Sequence, residues 1–545
     1  EMADLRTAQF FLPKTPATEL KLATHGDYLA SANRLPGRSA QKIAAAEGLS
    51  AQKRFFHWFL EYPEVFAAGG FDCIIGNPPF LGGQKLSGTF GNDFLHWVKT
   101  AYAPAGSCDL VTYFFRRAYT LLKPEGFQAL ISTNTIAQGA AREGGLEVMV
   151  NQGASINFAV KSMRWPGMAA VEVALVTIHK GEWKHPRNLD GRKVEYINPY
   201  LDDSQSIGNP FPLEQNENKS FMGSIVLGMG FVLTPEEAEL LIRKNPKNRD
   251  VLFPYMNGED LNSNYDQSPS RWVINFFDWD EEKCRKEYPD CFEIVERLVK
   301  PERMAYDSSK NAWNKTIKSK WWLFGAWRKQ LDQSLSMMDR VIAIPEITKY
   351  PSFALLKTDM VFSHRLKILI YKGYRDFCIF SSEVHTSWAW KYSATFTSRL
   401  QYSLDDAVNT FPFPQNLNPE TEGNLEDIGE RYYTHRQQLM QAVQLGLTKT
   451  YNLFHCKNLK EGLTAEEAAT IKDKDLAHLL KHLAATPDLL PFHEVAERII
   501  TLRRLHREMD LAVLSAYGWD DIDPAHNFYE VDYLPENDRV RFTIS

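Results

Sequence analysis

The first 180 residues alternate short apolar runs with amphipathic stretches, a pattern that indicates a sheet whose strands are linked by helices. Residues 71–75 form a five-residue apolar run after two glycines, which predicts a strand covered on both faces. Residues 109–122 carry apolar positions at helical spacing, and Asp109 stands where a helix N-cap is expected. Residues 127–133 are a second apolar run. A strand, a helix and a second strand in this order predict the crossover unit of a parallel sheet.

Two further apolar runs close this region. Residues 155–160 and 171–178 are joined by a connection short enough for a hairpin, so we expect the sheet to end in an antiparallel pair. Ahead of the sheet, residues 55–66 are dense in aromatic side chains. Because aromatic side chains are mostly buried, we interpret these residues as a segment that packs into the core.

Beyond residue 182 the strand–helix alternation stops. Residues 183–250 are polar and glycine-spaced, and we interpret them as a connector. Residues 251–415 contain short aromatic-rich runs, of which 340–346 and 377–382 predict strands. A helix is then expected to begin near Ser381. The middle of the chain therefore predicts a second, α+β domain.

The last part of the chain has a different period. Residues 416–545 are charged and carry apolar residues at three- and four-residue steps, which predicts a helical region. The clearest helices are expected at residues 427–445, 465–484 and 492–512.

Composition narrows the class of protein. The chain has 545 residues, of which 44% are hydrophobic and 24% charged, as in a globular protein. No apolar run approaches the roughly 18 residues that span a bilayer, and the N-terminus lacks the pattern of a signal peptide. The six cysteines form no C-x-x-C pair. We therefore expect a reduced, cytoplasmic protein that binds no metal.

The residues that follow the first apolar run carry the clearest chemistry, and they are Asn77, Pro78, Pro79 and Phe80. Two consecutive prolines fix φ and remove two backbone donors, so this turn presents carbonyl oxygens and few N–H groups. The side-chain oxygen of Asn77 and the carbonyl of Pro78 can accept both hydrogens of a planar amino group, while Phe80 can stack on the attached ring. The alternative is an ordinary strand-to-loop turn, since Asn-Pro often opens turns.

These residues resemble the (Asp/Asn)-Pro-Pro-(Tyr/Phe/Trp) motif of the amino-methyltransferases, which transfer methyl from S-adenosylmethionine to N6 of adenine. The resemblance covers roughly residues 55–182 and implies the second half of a class I, Rossmann-like methyltransferase fold. It implies that Asn77, Pro78, Pro79 and Phe80 are catalytic and that Asp72 and Asn77 contact the cofactor. It also implies that the adenine is flipped out of the duplex.

One part of that family's pattern is missing. No Gly-x-Gly loop follows a strand upstream of Phe71, where the family binds the methionine part of its cofactor. We therefore expect the cofactor-binding half to lie outside these 545 residues, or the protein to be a subunit that cannot bind cofactor alone.

A basic and aromatic segment lies in the second domain, although the whole chain has a net charge of −6. Residues 297–330 hold nine Lys and Arg against two acids, with five tryptophan and phenylalanine side chains between them. Basic groups neutralise phosphates, and aromatic rings stack on bases. The alternative is a solvated basic face over a small tryptophan core. The candidate DNA-binding residues are Lys310, Lys315, Lys318, Lys320, Arg328 and Lys329.

Three further stretches of the second domain are Asn257-Gly258-Glu259-Asp260, Ser381-Ser382-x-x-His385-x-x-Trp388 and Phe411-Pro412-Phe413-Pro414. They resemble the target-recognition region of the Eco57I and MmeI-like type II restriction-modification enzymes and of related phage-defence methylases. The resemblance implies double-stranded DNA as partner and adds Ser381, Ser382 and His385 to the DNA-binding candidates. Other subunits of a restriction or defence system are further candidate partners, and no membrane is expected.

Taken together, the sequence predicts an α/β protein with four parts. Residues 1–182 form a partial catalytic domain, 183–250 a connector, 251–415 a target-recognition domain and 416–545 a helical C-terminal region. The predicted function is N6-adenine methylation of DNA. Three alternatives stay open, namely N4-cytosine methylation, glutamine methylation of a protein, and a non-catalytic DNA-binding or assembly subunit.

Overall fold

The chain folds into two compact units, Glu1–Gly208 and Asn209–Ser545. We describe them from a computed structural model, each unit by itself. The residues that the structure describes are 2–33, 40–169, 171–205, 208–308, 312–396, 399–531, 534 and 538–545.

The first unit begins with helices and continues as an α/β sheet. Its helices are α1 (Met2–Ala8), α2 (His25–Ala32), α3 (Ala40–Lys53), α4 (Trp58–Glu61), α5 (Pro63–Ala67), α6 (Gly83–Phe90), α7 (Asn92–Ala101), α8 (Leu110–Leu121), α9 (Gly139–Gly144) and α10 (Leu146–Asn151). Its strands are β1 (Phe71–Gly76), β2 (Leu122–Thr133), β3 (Ser155–Arg164), β4 (Glu172–His179), β5 (Arg187–Leu189) and β6 (Arg192–Val194).

These six strands form one sheet in the order β1-β2-β4-β3-β5-β6. β1 and β2 run parallel and are linked through α8, so the predicted crossover unit is confirmed. β3 and β4 form the predicted antiparallel hairpin. The side chain of Asp109 accepts a hydrogen bond from the Val111 N–H, which confirms the predicted cap of α8. Residues 123–126 form a bulge within β2. Phe71 pairs with Leu122 and Cys73 pairs with Phe127, so four residues of β2 lie opposite a single residue of β1.

The strand that precedes the proline turn differs from the prediction. β1 is an edge strand, and none of its residues is fully buried. The Ile75 side chain is 79% exposed. The aromatic segment before it is exposed as well, with Phe56 at 52% and Phe59 at 53%. The expectation of two covered faces and of a core-packing segment was therefore wrong. Apolar composition indicates a tendency to be buried, whereas actual burial depends on whether another element covers the side chain.

In the residues that the structure describes, the second unit has four sheets of short strands. Its strands are β7 (Ser220–Met222), β8 (Val232–Leu233), β9 (Leu252–Met256), β10 (Arg271–Ile274), β11 (Arg340–Pro345), β12 (Ile347–Thr348), β13 (Ala354–Lys357), β14 (Val361–Phe362), β15 (Leu366–Leu369), β16 (Ala394–Phe396), β17 (Arg399–Gln401), β18 (Asn527–Glu530) and β19 (Val540–Thr543). The sheet orders are β14-β9-β10-β8, β13-β11-β15-β7, β12-β17-β16 and β18-β19.

Helices lie between and after these strands. They are α11 (Pro235–Lys244), α12 (Gly258–Ser263), α13 (Glu281–Glu287), α14 (Pro289–Leu298), α15 (Lys300–Met304), α16 (Ala312–Ser319), α17 (Lys329–Leu335), α18 (Tyr374–Ser381), α19 (Glu383–Tyr392), α20 (Leu404–Ala407), α21 (Pro419–Val443), α22 (Leu447–Phe454), α23 (Ala465–Thr470), α24 (Lys474–Ala485) and α25 (Phe492–Ala516). Within the described residues, no helix is long and apolar enough to cross a membrane.

The two longest helices, α21 and α25, pack antiparallel. Arg431 of α21 pairs with Glu508 of α25 at 2.8 Å, and one turn later His435 contacts the carbonyl of Arg498, also at 2.8 Å. Arg503 of α25 is buried. Its guanidinium donates to four carbonyls at and after the end of α22, those of Leu453, Phe454, Cys456 and Leu459. Arg503 therefore satisfies orphan carbonyls of a helix end.

The predicted strand at residues 377–382 is a helix, α18. Phe377, Cys378, Ile379 and Phe380 are all buried. A helix that is apolar on every side gives the same short apolar run as a buried strand, so the sequence period cannot distinguish the two.

The segment interpreted as a connector is divided between the two units. β5 and β6 continue the sheet of the first unit, since β5 pairs in parallel with β3. β7 pairs with β15, and β8 pairs with β10, so both belong to the second unit. The sequence missed these strands because strands of two or three residues are too short to show a period.

Candidate active site

The proline turn follows the carboxyl end of β1. Because β1 and β2 are parallel, with Gly76 opposite Leu130, the carboxyl ends of both strands lie on the same side of the sheet. Ligands in open α/β sheets bind at such carboxyl ends. The structure leaves Asn77 and Pro79 exposed, and Pro78 and Phe80 half-buried. The oxygen acceptors of the turn are thus accessible.

Phe80 has two environments. Part of its ring packs against the hydrophobic core of the first unit, together with Phe71 and Ile74. The rest of the residue is accessible to solvent. Packing on one side restricts the ring to one orientation, which is what a stacking platform requires.

Asp109 holds the turn in place. One oxygen of its carboxylate, Oδ1, accepts the Val111 N–H at 3.0 Å and the Leu81 N–H at 3.1 Å. The Leu110 N–H donates to the Leu81 carbonyl at 2.9 Å. At Gly83 the backbone passes so close to residue 107 that an added Cβ would lie 2.1 Å from the Ser107 carbonyl oxygen. The cap of α8 therefore also positions the residues directly after Phe80.

The end of β2 supplies hydroxyl groups at the same edge of the sheet. The hydroxyl of Ser132 is buried and has no hydrogen-bond partner within the described residues. The Thr133 and Thr135 hydroxyls lie 2.7 Å apart and share a hydrogen bond. A buried hydroxyl with unused hydrogen-bonding capacity is costly, and such groups cluster at functional sites.

Asp72, predicted to contact the cofactor, lies at the other end of β1. Five residues at about 3.3 Å each separate it from Asn77 by roughly 16 Å. Its carboxylate pairs with Lys123 at 2.5 Å, and the Lys123 hydrogen bond lowers the Asp72 pKa. The structure therefore does not bring Asp72 and Asn77 together, because successive residues of a strand extend away from each other.

The described residues contain no group of three or more His, Cys, Asp and Glu side chains that could hold a metal ion. Cys284 and Cys291, the closest pair in sequence, are both buried free thiols. Burial raises the pKa of each to about 12.

The basic segment of the second unit is partly exposed. Lys315, Lys320 and Lys329 are exposed, whereas Lys318 and Arg328 are half-buried. Lys329 pairs with Asp278 at 3.1 Å. Lys310 lies outside the described residues.

The aromatic side chains of that segment mostly serve the core. Trp321 and Phe324 belong to a buried cluster, and the Trp322 indole donates to the carbonyl of Trp279. Trp313 on α16 is 45% exposed, and Trp327 is half-buried with its indole donating to the carboxylate of Asp332. The alternative of a basic face over a tryptophan core therefore describes most of this segment.

Ser381, Ser382 and His385, three of the DNA-binding candidates, are buried. The Ser382 hydroxyl donates to the Ile379 carbonyl at 2.7 Å and accepts the His385 N–H, so it caps α19. His385 hydrogen-bonds the Tyr402 hydroxyl at 2.8 Å, and burial lowers its pKa to about 3. These side chains cannot reach DNA in this fold, and the prediction for them is corrected. Ser382 is a helix cap and His385 is a neutral core histidine, while the buried Ser381 hydroxyl has no hydrogen-bond partner within the described residues.

The structure adds a basic group that the sequence did not reveal. Glu346 pairs with Lys367 at 3.1 Å and with Arg365 at 3.0 Å. Burial opposes the ionisation of Glu346, but these two cations outweigh it and lower the Glu346 pKa. Burial, followed by the charge of Arg365, lowers the pKa of His364. Arg328 contributes to the same effect on His364.

We call Arg328, Glu346, His364, Arg365 and Lys367 the Glu346 cluster. Buried nitrogens of two members, Arg328 Nε and His364 Nδ1, have no hydrogen-bond partner within the described residues. The cluster combines residues from three separate stretches of sequence. The alternation of charged residues at positions 365 and 367 was the only local signal that could have indicated it.

Comparison with known proteins matches both units. Residues 18–155 match the Eco57I restriction-modification methylase family, and residues 212–415 match the MmeI target recognition domain. The resemblance stated from the sequence is thus confirmed for both segments. The recognition match begins about 40 residues before the predicted boundary, near the start of the second unit.

One curated relative and one solved structure extend the match. DNA methyltransferase A of Bacillus subtilis (strain 168) is 22% identical over 389 residues, which are 68% of this chain and 42% of the relative. The type IIL restriction-modification enzyme MmeI, solved in complex with DNA, shares the fold with a TM-score of 0.62 at 19% identity, over 85% of this chain and 56% of MmeI. The chain therefore spans about half the length of these relatives.

Proposed function

Because the two units match an Eco57I-type methylase and an MmeI-type recognition domain, we propose that this chain belongs to a restriction-modification or phage-defence DNA methyltransferase. The proposed reaction transfers methyl from S-adenosylmethionine to N6 of an adenine flipped out of double-stranded DNA. The single observation that carries the proposal is the exposed turn Asn77–Phe80 at the carboxyl end of a parallel strand. We also propose a cytoplasmic location, because we assign the chain to this class of DNA-modifying enzyme.

In this proposal the turn binds the amino group of the base. The Asn77 side-chain oxygen and the Pro78 carbonyl accept its two hydrogens, because neither Pro78 nor Pro79 has an N–H that would compete. Acceptors in these positions stabilise the positive charge that develops on nitrogen as the new bond forms. Phe80 stacks on the base with the part of its ring that the core leaves accessible. The carboxylate of Asp109 keeps the turn in this geometry.

S-adenosylmethionine supplies an electrophilic methyl group when bound. Asn77 fits a role beside the cofactor, because it lies at the edge of the sheet where such ligands bind. Asp72 does not fit, since it lies at the opposite end of β1 and pairs with Lys123. We therefore retain Asn77 and withdraw Asp72 as a cofactor contact.

The second unit supplies the proposed DNA contacts. Lys315, Lys318, Lys320 and Lys329 on or near α16 and α17 neutralise phosphates, and Trp313 packs against a sugar or base. The Glu346 cluster adds arginine donors and one carboxylate acceptor, the groups that read guanine and cytosine edges. Unused nitrogens on Arg328 and His364 favour a ligand at this place. Subunits of a restriction or defence system remain further proposed partners.

The alternatives from the sequence predict different products. N4-cytosine methylation uses the same geometry at the turn. Glutamine methylation needs no phosphate-binding face, so the basic surface of the second unit favours DNA. A non-catalytic subunit binds DNA and transfers no methyl group.

Base analysis separates these functions. The polypeptide that carries this chain is incubated with labelled S-adenosylmethionine and duplex DNA, and the DNA is digested to nucleosides. We expect labelled N6-methyladenine, and we expect Asn77→Ala to lower its rate by about 10³-fold, or about 4 kcal/mol. Label on N4 of cytosine would replace the proposed base. DNA binding without transfer of label would leave the non-catalytic reading.

A further inference from the structure

A cleft in the second unit lies among elements that the proposed function does not use. It has a volume of about 650 Å³. The turn at Lys349 and Tyr350, the loop after α22, the start of α24 and residues 538–541 form its walls. This volume is within the range of pockets that hold a nucleotide-sized ligand.

The lining is cationic. Three carboxylates, those of Asp473, Asp475 and Asp538, face six basic side chains. The six are Lys349, Lys457, Lys472, Lys474, Arg539 and Arg541.

Two of the carboxylates are already engaged. Asp538 pairs with Lys349 at 3.3 Å and with Arg541 at 3.1 Å. Asp473 caps α24, where its Oδ1 accepts the N–H groups of Asp475 and Leu476. Burial raises the pKa of the third, Asp475, and so disfavours its charged form. Six basic side chains thus face three carboxylates, so the cleft carries a net positive charge.

Three lysines at the rim of the cleft are not neutralised by an ion pair within the described residues. Lys457, Lys472 and Lys474 are exposed, and none of them forms an ion pair within the described residues. They come from two separate segments, the loop after α22 and the turn into α24. Their convergence on one cleft is a product of the fold rather than of a single charge run.

The interior of the cleft holds a second feature that indicates an anion. Arg541 is buried and faces both carboxylate oxygens of Asp538, one through Nη1 at 3.2 Å and the other through Nη2 at 3.1 Å. A guanidinium fixed in this way at the wall of the cleft is suited to phosphate oxygens, which arginine binds through the same planar arrangement of donors. The start of α24, a helix of 12 residues, adds its positive dipole end to the same wall.

We propose that this cleft binds a phosphate chain of nucleotide size. Arg541 and Lys349 meet it from the interior, and Lys457, Lys472 and Lys474 meet it from the rim. Such a chain can come from a free nucleoside triphosphate or from a nucleic-acid backbone, which share the chemistry that the cleft recognises. None of these residues belongs to the Asn77 turn or to the Glu346 cluster.

Isothermal titration calorimetry of the 545-residue chain tests this. The probes are sodium tripolyphosphate, ATP and a single-stranded oligonucleotide without terminal phosphates. We expect saturable binding of tripolyphosphate that Lys457→Glu and Lys474→Glu each weaken about tenfold. The matched control is Lys460→Glu, which reverses an exposed charge in the same loop but outside the cleft. We expect that control to stay within twofold of the unmodified chain.

The remaining outcomes decide the source and the site. Displacement of tripolyphosphate by ATP alone supports a free nucleotide, and displacement by the oligonucleotide supports the backbone. Absence of binding by the unmodified chain, or equal loss in Lys460→Glu, overturns the proposal. Glutamate at position 474 is favoured at a helix start, so Lys474→Glu keeps α24 folded while it removes ligand charge. Equal unfolding midpoints for all variants verify that loss of binding is not loss of fold.

Discussion

The Asn77–Phe80 turn and the Ser381–His385 segment were both singled out by resemblance to the same class of enzyme, but the structure treats them in opposite ways. Asn77 is exposed at the end of β1, with its side-chain amide available to a ligand. Ser382 and His385 are buried, where they cap α19 and bond Tyr402. Both are short motifs of polar residues next to aromatic ones.

The difference teaches how a recurring motif is to be interpreted. In the turn, two prolines remove the internal donors that would otherwise satisfy the oxygens, so the acceptors are left for a ligand. In the Ser381–His385 segment each polar group except the Ser381 hydroxyl and one His385 nitrogen has an internal partner. A motif whose polar side chains are buried in the fold serves the fold, here as a helix cap and as a core contact. A motif left unsatisfied at an accessible edge is a candidate for function.

The largest effect expected from this comparison is on stability. His385→Ala removes a ring that packs among Phe353, Phe380 and Phe411 and deprives the Tyr402 hydroxyl of its partner. We expect it to lower the free energy of unfolding by about 4 kcal/mol, as measured by chemical denaturation. DNA affinity per folded molecule should not change. A folded variant with tenfold weaker DNA binding would restore His385 to the DNA-binding residues.

The next effect is on catalysis. Phe80→Ala removes the proposed stacking ring. We therefore expect kcat/KM for DNA to fall by about 30-fold, which corresponds to about 2 kcal/mol. Phe80→Tyr keeps the ring and is the matched control, expected to stay within about threefold. Steady-state methylation kinetics measure both. Normal kinetics in the alanine variant would show that Phe80 only packs against the core.

A pH effect follows from the buried histidine. The pKa of His385 is about 3 in the folded protein, against about 6.5 when unfolded. As the pH falls, the unfolded state therefore binds a proton before the folded state does. The free energy of unfolding is unaffected by this histidine above pH 6.5, and it decreases as the pH falls toward 3. We expect this histidine to add a slope of about 1.4 kcal/mol per pH unit in that window. Denaturation at pH 7 and pH 5 should show a smaller decrease for His385→Gln than for the unmodified chain, and equal decreases would contradict the assignment.

The smallest effect is at the helix cap. Ser382→Ala removes the oxygen that accepts the His385 N–H and should cost about 1 kcal/mol of stability. Ser382→Thr keeps the hydroxyl and should recover most of it. Thermal unfolding compares the two, and methylation rates of the folded variants should be equal. A specific loss of target recognition in the alanine variant would break the distinction between the turn and this segment.

Much of the first unit could be predicted because its signals are local. The parallel β1 and β2, the Asp109 cap and the β3–β4 hairpin each follow from period and capping residues within a short window. The second unit was harder. Its strands β7 and β8 are too short to show a period, and α18 is buried on all sides, so its apolar run was interpreted as a strand.

The candidate site shows the same limit. The chemistry of the turn could be predicted because it depends on covalent neighbours, namely an amide, two prolines and a ring. The Asp72 prediction could have been rejected from the sequence, because five residues of an extended strand place it roughly 16 Å from Asn77. The Glu346 cluster could not be predicted at all, since positions 328, 346 and 365 come together only through the pairing of β7, β11 and β15.

The sequence by itself determined the acceptor-rich turn, the order of the main strands and helices, and the helical character of the last region. Those properties are set by each residue's backbone limits and by its near neighbours. The tertiary structure decided which polar residues are exposed, which cations share a surface and which strand lies at the edge of the sheet. These depend on burial and on contacts between distant segments, and no local pattern specifies the partner that covers a side chain.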